Sequence, residues 1–362
     1  MAKKKIAVLT GGGDAPGLNA VIYALTRTCI SQFDYELIGY KFGYRGLYNN
    51  DFMPLNHETT SGILHRGGTI LYSSNKDNLF DYAIEENGQT VKKDMSDVAV
   101  ANLKKEGVDV LVVLGGDGTL TSARDFARKG VNVIGVPKTI DNDLSATEAT
   151  FGFDTAVNIV TENLGRLHTT AEAHHRVLVM EVMGRSAGWI ALASGIAGSA
   201  DVILIPEIPF TIDKVIEKVD ERNRIGKPFT LIVVTEGAVE KGGEAVVGKI
   251  VEDSPDPVRY GGIAAYIAHK LESRLNQEVR SCALGHIQRG GDTSAYDRVL
   301  SCRYGVAAAN LIKEEKFGNM VCLRNGKMAY ESLENVIGTN KYVQPDDELV
   351  NVARCLGVSF GD

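Results

Sequence analysis

The sequence predicts an α/β protein with mainly parallel sheets and two domains. Short β-branched runs alternate with helix-like segments along most of the chain, and this alternation is typical of βαβ units that build parallel sheets. The strand-like runs, such as residues 108–114, are apolar throughout, which is the pattern of strands buried on both faces. A length of 362 residues exceeds the usual size of one domain and favours two.

Each element is predicted from its own pattern. Short apolar runs bounded by glycine or polar residues predict strands at residues 6–9, 37–40, 108–114, 131–136, 177–183, 202–205, 229–235 and 279–284. Helix-forming residues with apolar side chains at helical spacing predict helices at 18–25, 98–103, 120–128, 156–167, 187–197, 212–222, 263–275 and 296–312. Glycine-rich and polar stretches predict a turn at 44–48, a mobile flap over the first site at 66–81, and a surface loop or small hairpin insertion at 241–262.

Composition excludes several classes of partner. With 39 Lys+Arg and 46 Asp+Glu the net charge is −7, so no global positive field attracts nucleic acid or an anionic membrane. The start of the chain lacks the apolar region of a signal peptide, and no stretch approaches membrane-spanning length. The five cysteines lack CxxC spacing and lie in apolar surroundings, which favours buried, reduced thiols. We therefore expect a cytoplasmic protein that binds neither nucleic acid nor membrane.

Two loops of the central β-α-β unit combine glycine, threonine and carboxylates. Residues 115–119 and 137–143 each follow a predicted strand, and ligands of such sheets bind outside the carboxyl ends of the strands. Consecutive glycines and a helix N-terminus favour a phosphate. Asp117, Asp141 and Asp143 beside that phosphate indicate Mg²⁺ or proton transfer. The alternative is that these aspartates form turns and helix caps.

A second set of polar residues lies at the ends of later strands. Arginine at the end of a buried strand fits phosphate oxygens with its planar fork of donors. Several arginines beside a histidine and a carboxylate therefore suggest a sugar-phosphate pocket, although each alone is explained by an ordinary surface charge. The set comprises His175, Arg176, Arg185, Glu236, Arg280, His286 and Arg289.

Several segments resemble the 6-phosphofructokinase family. The segments GGGDAPGLN, GGDGT, PKTIDND, EVMGRSAGWIALASGIAG, TEG and GHIQRGG match the family in order and approximate spacing. GGDGT alone is weak evidence, because lipid and NAD kinases have similar loops. The resemblance implies two Rossmann-like three-layer domains with mainly parallel sheets and an active site in the cleft between them. The implied nucleotide domain is residues 1–152 plus about 288–335, and the sugar-phosphate domain is 153–287 plus about 336–362.

The resemblance also implies a role for each matching residue. Asp141 resembles the base that takes the proton from the sugar 1-hydroxyl, and Asp117 resembles the aspartate associated with Mg²⁺. Thr139, Asp143 and Arg185 complete the implied catalytic group. The implied nucleotide contacts are Gly12, Tyr44, Gly115, Gly116, Gly118 and Thr119, although Tyr44 is equally explained as an aromatic residue packed over a turn. The implied sugar-phosphate contacts are Thr139, Met183, Gly184, Arg185, Glu236, His286 and Arg289, with Arg176 and Arg280 reaching from a neighbouring subunit of a homo-oligomer, a dimer or a tetramer with shared active sites.

Two positions bear on the phosphoryl donor. Gly118 leaves room for the nucleoside of ATP, where pyrophosphate-dependent relatives have Asp. Lys138 is shared with the pyrophosphate group, but together with Trp189 it also resembles a mixed branch of ATP-dependent members. We weight the missing side chain more heavily because it is required for access. Asn75 replaces an arginine that contacts the transferred phosphate in ATP-dependent members, so Lys76 is a candidate for that contact.

The leading prediction is transfer of the γ-phosphate of ATP to the 1-hydroxyl of fructose 6-phosphate with Mg²⁺, giving fructose 1,6-bisphosphate in glycolysis. The alternative donor is pyrophosphate. A catalytically silent nucleotide-binding or scaffold subunit is the alternative from another class, and the intact Asp141 argues against it.

Overall fold

The computed structural model describes residues 3–86, 89–251 and 257–362. The strands are β1 Lys5–Thr10, β2 Glu36–Tyr40, β3 Phe52–Leu55, β4 Tyr82–Glu86, β5 Gln89–Lys93, β6 Val110–Gly115, β7 Val133–Pro137, β8 Val177–Val182, β9 Val202–Leu204, β10 Thr230–Thr235, β11 Val247–Ile250, β12 Val258–Tyr260, β13 Val279–Ala283, β14 Asn319–Arg324 and β15 Lys327–Ser332. The helices are α1 Leu18–Phe33, α2 Tyr44–Asn49, α3 Ser96–Lys105, α4 Asp117–Arg128, α5 Phe153–His174, α6 Trp189–Ala197, α7 Ile212–Arg224, α8 Ile263–Glu272, α9 Ala295–Lys313, α10 Leu333–Val336 and α11 Glu348–Cys355, and a 3-10 helix covers Gly285–Arg289.

The larger sheet has the strand order β15-β14-β7-β6-β1-β2-β3. Its inner strands pair in parallel, and the two edge strands, β15 and β3, pair antiparallel. Ile6 and Val8 face a core shared with α1 and α9, whereas Ala7 and Leu9 face a core shared with α3 and α4. Helices on both faces explain why the inner strands are apolar throughout. The predicted α/β class with mainly parallel strands is confirmed.

The smaller sheet has the order β13-β8-β10-β9, and all of its pairs are parallel. Helices α5, α6 and α11 pack on one face, and α7 and α8 on the other. Ala15 from the loop after β1 and Ile140 from the loop after β7 are buried in the first of these two cores. The carboxyl edges of the two sheets therefore face each other across a shared contact.

A buried carboxylate joins the first turns of α5 and α9. Asp297 Oδ2 accepts hydrogen bonds from the backbone N–H of Thr155 at 2.8 Å and from its hydroxyl at 2.6 Å. Ser294 Oγ donates to Asp154 at 2.6 Å in the opposite direction. Asp297 is fully buried. These contacts fix the helix that leads into the smaller sheet against a helix of the larger one.

The structure corrects the turn predicted at residues 44–48, which belong to the helix α2. Tyr44 and Leu47 are buried, so the segment has an apolar face that a turn would leave exposed. Gly46 allows close packing, because an added Cβ would lie 1.9 Å from the carbonyl oxygen of Lys41.

Residues 66–81 lie over the loop after β1, as predicted, but they form a packed cover. Leu71 and Leu79 are fully buried, and the Ser74 carbonyl accepts a hydrogen bond from Gly12 N at 2.9 Å. Buried leucines and a backbone hydrogen bond anchor this segment in the structure, and its mobility stays a prediction.

Several elements were not predicted. The hairpin β4–β5 is mostly polar, and the elements from β14 to α11 follow the last predicted helix. In the predicted surface insertion at 241–262, strands β11 and β12 pair antiparallel, which favours the hairpin alternative, while residues 252–256 of that prediction lie outside the described residues.

The sequence also predicts the absence of membrane-spanning helices and the burial of the cysteines. In the described parts of the chain, no helix is both long and apolar enough to span a membrane. All five cysteines are free thiols. Cys29 and Cys322 are buried as predicted, but Cys355 is exposed, because it lies at the end of α11.

Candidate active site

The loop after β6 packs against the loop after β1 through glycines. An added Cβ on Gly11 or Gly115 would lie 2.5 or 2.3 Å from the Thr119 side chain, so Thr119 fills a slot between these two glycines. Helix α4 begins at Asp117, directly after Gly116. The first N–H groups of a helix lack intrahelical partners and carry partial positive charge, so this end of α4 suits a phosphate.

Gly118, unlike Thr119, is surrounded by open space. It is exposed, and an added Cβ would meet no atom within 4 Å. A side chain at this position would project into open space beside the glycine loop without disturbing the fold.

Tyr44 packs against the loop after β6 and against helix α4. Its hydroxyl donates to the Thr119 carbonyl at 2.8 Å, and its ring stacks on Phe126 at a centroid distance of 5.7 Å. The side chain is 3% exposed, and burial raises the pKa of its hydroxyl well above the ordinary value. The structure therefore favours the packing alternative for Tyr44 over stacking on a base.

A buried lysine supports the loop after β1. Lys138 is 4% exposed, and its ammonium donates to the Gly13 carbonyl. A Cβ on Gly12 would approach this ammonium to 3.2 Å, and the Gly12 N–H already donates to Ser74. Burial, assisted by repulsion from Arg289, lowers the pKa of Lys138 to about 7. Gly12 thus contributes space for the lysine, since its N–H is already paired.

The same loop is held from the other side by Arg289, at the end of the 3-10 helix after β13. Its guanidinium donates to the Asp14 carbonyl. A Cβ on Gly13 would lie 2.9 Å from this guanidinium. Cations from both sheets therefore converge on one glycine loop, as expected for a site that binds anions.

Asp141 lies in the loop after β7 among these cations. Its backbone N–H donates to Thr139 Oγ1 at 3.1 Å. Its Oδ1 atom is shielded from solvent and has no hydrogen-bond partner among the described residues. Desolvation raises the pKa of Asp141, and the charges of Arg289, Lys138 and Arg185 oppose that rise. An unpaired carboxylate oxygen with a raised pKa suits a general base.

The neighbours of Asp141 shape the turn. Asn142 has a left-handed backbone with φ 53°, a conformation that Asn tolerates better than most residues. Its Oδ1 accepts from Thr150 N at 3.1 Å, and Thr150 Oγ1 donates to the Thr139 carbonyl at 2.7 Å. Burial and repulsion from Asp141 raise the pKa of Asp143 to about 6. The two aspartates are therefore separated by a residue whose conformation is fixed by its side chain.

The loop after β8 brings Arg185 towards Asp141. Gly184 has φ 136°, and a Cβ there would lie 2.5 Å from the Ala187 carbonyl oxygen. Arg185 follows with φ 54°, and its N–H donates to Glu236 Oε1 at 3.2 Å. Burial, then repulsion from Asp141, raises the pKa of Glu236 to about 7.

Gln288 links two loops of the smaller sheet and is not predicted by the sequence pattern. It is fully buried, its Oε1 accepts from Met183 N at 3.3 Å, and its Nε2 donates to the Gly285 carbonyl at 3.1 Å. His286 is exposed on the same 3-10 helix. A glutamine inside the GHIQRGG segment was the available signal, but its partner lies 105 residues away.

Arg176 and Arg280 lie at the opposite edge of the smaller sheet. Arg176 precedes β8 and Arg280 is near the start of β13, so Arg176 is about 20 Å from Met183 along the strand. Both pair with Glu278. A single chain therefore does not bring these two arginines to the other candidate residues, since strand direction places them at the amino end of the sheet.

Asp117 is the candidate metal ligand. It is half-buried, and its Oδ1 accepts from Gly338 N at 3.2 Å. Among the residues that the structure describes, no three His, Cys, Asp or Glu side chains form a metal-binding cluster. One carboxylate fits Mg²⁺ only when phosphate oxygens and water supply its remaining ligands, which is the usual arrangement for nucleotide-bound Mg²⁺.

Fold and site together define an α/β protein in which cationic side chains and a carboxylate meet between two mainly parallel sheets. The phosphofructokinase family model matches residues 5–312. The chain belongs to the phosphofructokinase family.

Individual relatives cover nearly the whole chain. An ATP-dependent 6-phosphofructokinase 2 from Clostridium perfringens is 70% identical over 361 residues, which cover 99% of each chain. A pyrophosphate–fructose 6-phosphate 1-phosphotransferase from Amycolatopsis methanolica is 44% identical over 94% of this chain and 97% of its own. The solved structure of phosphofructokinase from Saccharomyces cerevisiae matches with a TM-score of 0.79 and 30% identity over 92% of this chain and 45% of that one.

Proposed function

We propose that this chain is an ATP-dependent 6-phosphofructokinase of glycolysis. It transfers the γ-phosphate of ATP to the 1-hydroxyl of fructose 6-phosphate and forms fructose 1,6-bisphosphate and ADP. The observation that carries the proposal is 70% identity to an enzyme of that name across the whole chain. The Asp141 carboxylate, close to the cationic side chains of Arg289, Lys138 and Arg185, supports the proposal because it can act as the base of that reaction.

In the proposed reaction, the Asp141 carboxylate takes the proton of the 1-hydroxyl while the sugar oxygen attacks the γ-phosphorus. The loop after β6 holds the nucleotide. Thr119 fixes the distance between this loop and the glycine loop after β1. Arg185 and Arg289 approach Asp141 from the smaller sheet and suit a sugar phosphate and the charge that develops on the transferred group. Thr139, Asp143, Met183, Gly184, Glu236 and His286 complete this set of proposed contacts.

The proposed cofactor is Mg²⁺, bound by Asp117 together with nucleotide phosphates. When bound, Mg²⁺ neutralises charge on the phosphate oxygens. Asp117 suits this role because it stands at the first position of α4, beside the proposed phosphate site.

ATP is proposed as the donor because of Gly118. This residue leaves open space beside the glycine loop, where an Asp side chain would add bulk and negative charge. Lys138 does not discriminate between donors, since its ammonium is bound to the Gly13 carbonyl and supports the loop. The family includes a pyrophosphate-dependent relative at 44% identity, so pyrophosphate remains the alternative.

The proposed domains follow the two sheets. The nucleotide domain, residues 1–152 plus about 288–335, contains the larger sheet. The sugar-phosphate domain, residues 153–287 plus about 336–362, contains the smaller sheet. The proposal is supported by the core residues of the two sheets, which are distinct except that Ala15 and Ile140 of the nucleotide domain are buried in the smaller sheet's core.

We further propose a cytoplasmic homo-oligomer with shared active sites. Arg176 and Arg280 lie at the amino edge of the smaller sheet, so they would reach a sugar phosphate only in another subunit. Sedimentation velocity at assay concentrations tests this: a dimer or tetramer is expected, and an active monomer would contradict it.

Parallel assays of the purified chain test the function. Fructose 6-phosphate is supplied with either ATP–Mg²⁺ or pyrophosphate–Mg²⁺, and fructose 1,6-bisphosphate is measured by a coupled aldolase reaction. Turnover with ATP is expected to exceed turnover with pyrophosphate. Turnover with pyrophosphate alone would reverse the donor assignment, and product formation with neither donor would refute the function.

A further inference from the structure

The catalytic loop is held by a lysine far along the chain. Lys341 Nζ donates to Asn142 Oδ1 at 3.1 Å and to the carbonyls of Thr147 and Glu148 at 3.1 and 3.0 Å. Its backbone N–H donates to the Asp143 carbonyl at 2.7 Å. One residue therefore contacts the loop with both its side chain and its main chain.

Residues 340–343, which we name the strap, extend this contact. Asn340 and Leu144 form an antiparallel bridge beside the Lys341 contact. The strap lies beyond residue 312, where the match to the family model ends, so the matched segments do not identify its role.

The strap is anchored to the smaller sheet at the start of α6. Trp189 Nε1 donates to the Lys341 carbonyl at 2.8 Å, and the Lys341 ammonium lies 5.7 Å from the centroid of the Trp189 ring. Glu207 Oε1 accepts from Val343 N at 3.0 Å and from Gly188 N at 2.9 Å. The strap therefore links the smaller sheet to the loop after β7 and fixes the position of that loop relative to the smaller sheet.

Asn142 is the residue on which this contact acts. Its left-handed backbone turns the chain between Asp141 and Asp143, and its Oδ1 is shared by Lys341 and Thr150. A left-handed residue without side-chain support is readily lost to extended conformations. Loss of the ammonium would leave Thr150 as the remaining hydrogen-bond donor to Asn142 Oδ1 among the described residues.

We propose that Lys341 is a positioning residue for the reaction, which fixes Asn142 and thereby the orientation of the Asp141 carboxylate. The proposal rests on the proposed function and adds a residue that touches neither substrate nor reacting atoms. A displacement of a catalytic group by about 1 Å can lower the rate ~100-fold without weakening ground-state binding. Lys341 should therefore affect kcat more than either KM.

Lys341→Met tests this, because it keeps the aliphatic stem and removes the ammonium. We expect kcat to fall ~10- to ~100-fold while KM for ATP and for fructose 6-phosphate each stay within about threefold. Lys341→Arg should recover part of kcat, since it keeps the charge. The matched control is Lys327→Met, at an exposed position of β15, which should have wild-type kinetics.

Three results would overturn the inference. They are an unchanged kcat, a kcat loss accompanied by equal changes in both KM values and a lowered melting temperature, and an arginine variant no better than the methionine variant. If Lys341→Met does not fold, Trp189→Phe decides, because it removes the donor to the Lys341 carbonyl. A selective fall in kcat supports the inference and wild-type kinetics contradict it. Failure of the proposed function is separate, since wild-type protein would then form no product.

Discussion

At the scale of single residues, Gly118 and Thr119 are neighbours that differ in the space around them. Thr119 is enclosed by two glycines that leave no room for change. Gly118 faces open space, so the fold tolerates a side chain there, and in the proposed function only the nucleotide restricts this position. A position that is free structurally but restricted by the ligand is suited to control donor choice.

Gly118→Asp is expected to lower kcat/KM for ATP at least ~100-fold, because two like charges about 4 Å apart near a protein surface repel by about 4 kcal/mol. Steady-state kinetics with ATP measure the effect. Gly165→Asp is the control, since Gly165 is an exposed glycine of α5 whose added Cβ also meets nothing within 4 Å. Equal ATP kinetics in both variants would remove Gly118 from the donor site.

The sequence predicts those candidate residues that lie next to a recognisable local pattern, such as the end of a predicted strand. Asp141 and Glu236 were identified because each follows a predicted strand. Lys341 was not, because its partner Asn142 lies 199 residues away and the lysine itself is in an ordinary polar segment. For Tyr44 the sequence supports two alternatives, and its contacts with Phe126 and Thr119 in the structure favour packing.

At the scale of elements, the joint between α5 and α9 depends on Asp297. Burial raises the pKa of Asp297 to about 6. The folded state therefore holds more protons than the unfolded state between about pH 4 and about pH 6. The contribution of Asp297 to stability is present below about pH 4 and is lost as the pH rises through about 6.

Asp297→Asn should remove this pH dependence. Relative to the variant, the wild-type free energy of unfolding should fall by up to ~3 kcal/mol between about pH 4 and about pH 6, at about 1.4 kcal/mol per pKa unit. Urea unfolding across that range measures it. Asp220→Asn, on the exposed face of α7, is the control and should follow the wild type. Parallel curves for all three proteins would contradict this account.

The elements that the sequence predicted are those with strong apolar periodicity. Buried strands such as β6 and β8 were predicted nearly to their ends, since helices cover both faces. The β4–β5 hairpin was missed because its strands are mainly polar and exposed. Helix α2 was missed because its six residues are too few for periodicity to show.

At the scale of the whole molecule, the site exists because two carboxyl edges face each other. Lys138 and Asp141 follow strands of the larger sheet, whereas Arg185 and Arg289 follow strands of the smaller one. The sequence predicted each loop from its own pattern. It did not give the distance across the cleft, which depends on packing such as that of Ala15 and Ile140 in the smaller sheet's core.

The same strand directions explain why the residues predicted to bind the sugar phosphate lie at two opposite edges of the smaller sheet. Arg176 and Arg280 are occupied by Glu278 at the amino edge. Sequence patterns show that a residue lies near a strand end, but assigning it to one site also requires the direction of the strand and the arrangement of subunits.

The central claim is that Asp141 is the base for phosphorylation of fructose 6-phosphate. The most direct measurement is the kcat of Asp141→Asn with ATP–Mg²⁺ and fructose 6-phosphate, compared with wild type and with the exposed control Asp220→Asn. A carboxamide cannot accept the proton, so kcat should fall ~1,000-fold while both KM values stay within about fivefold and the control is unchanged. A kcat for Asp141→Asn within threefold of the wild type would contradict the account.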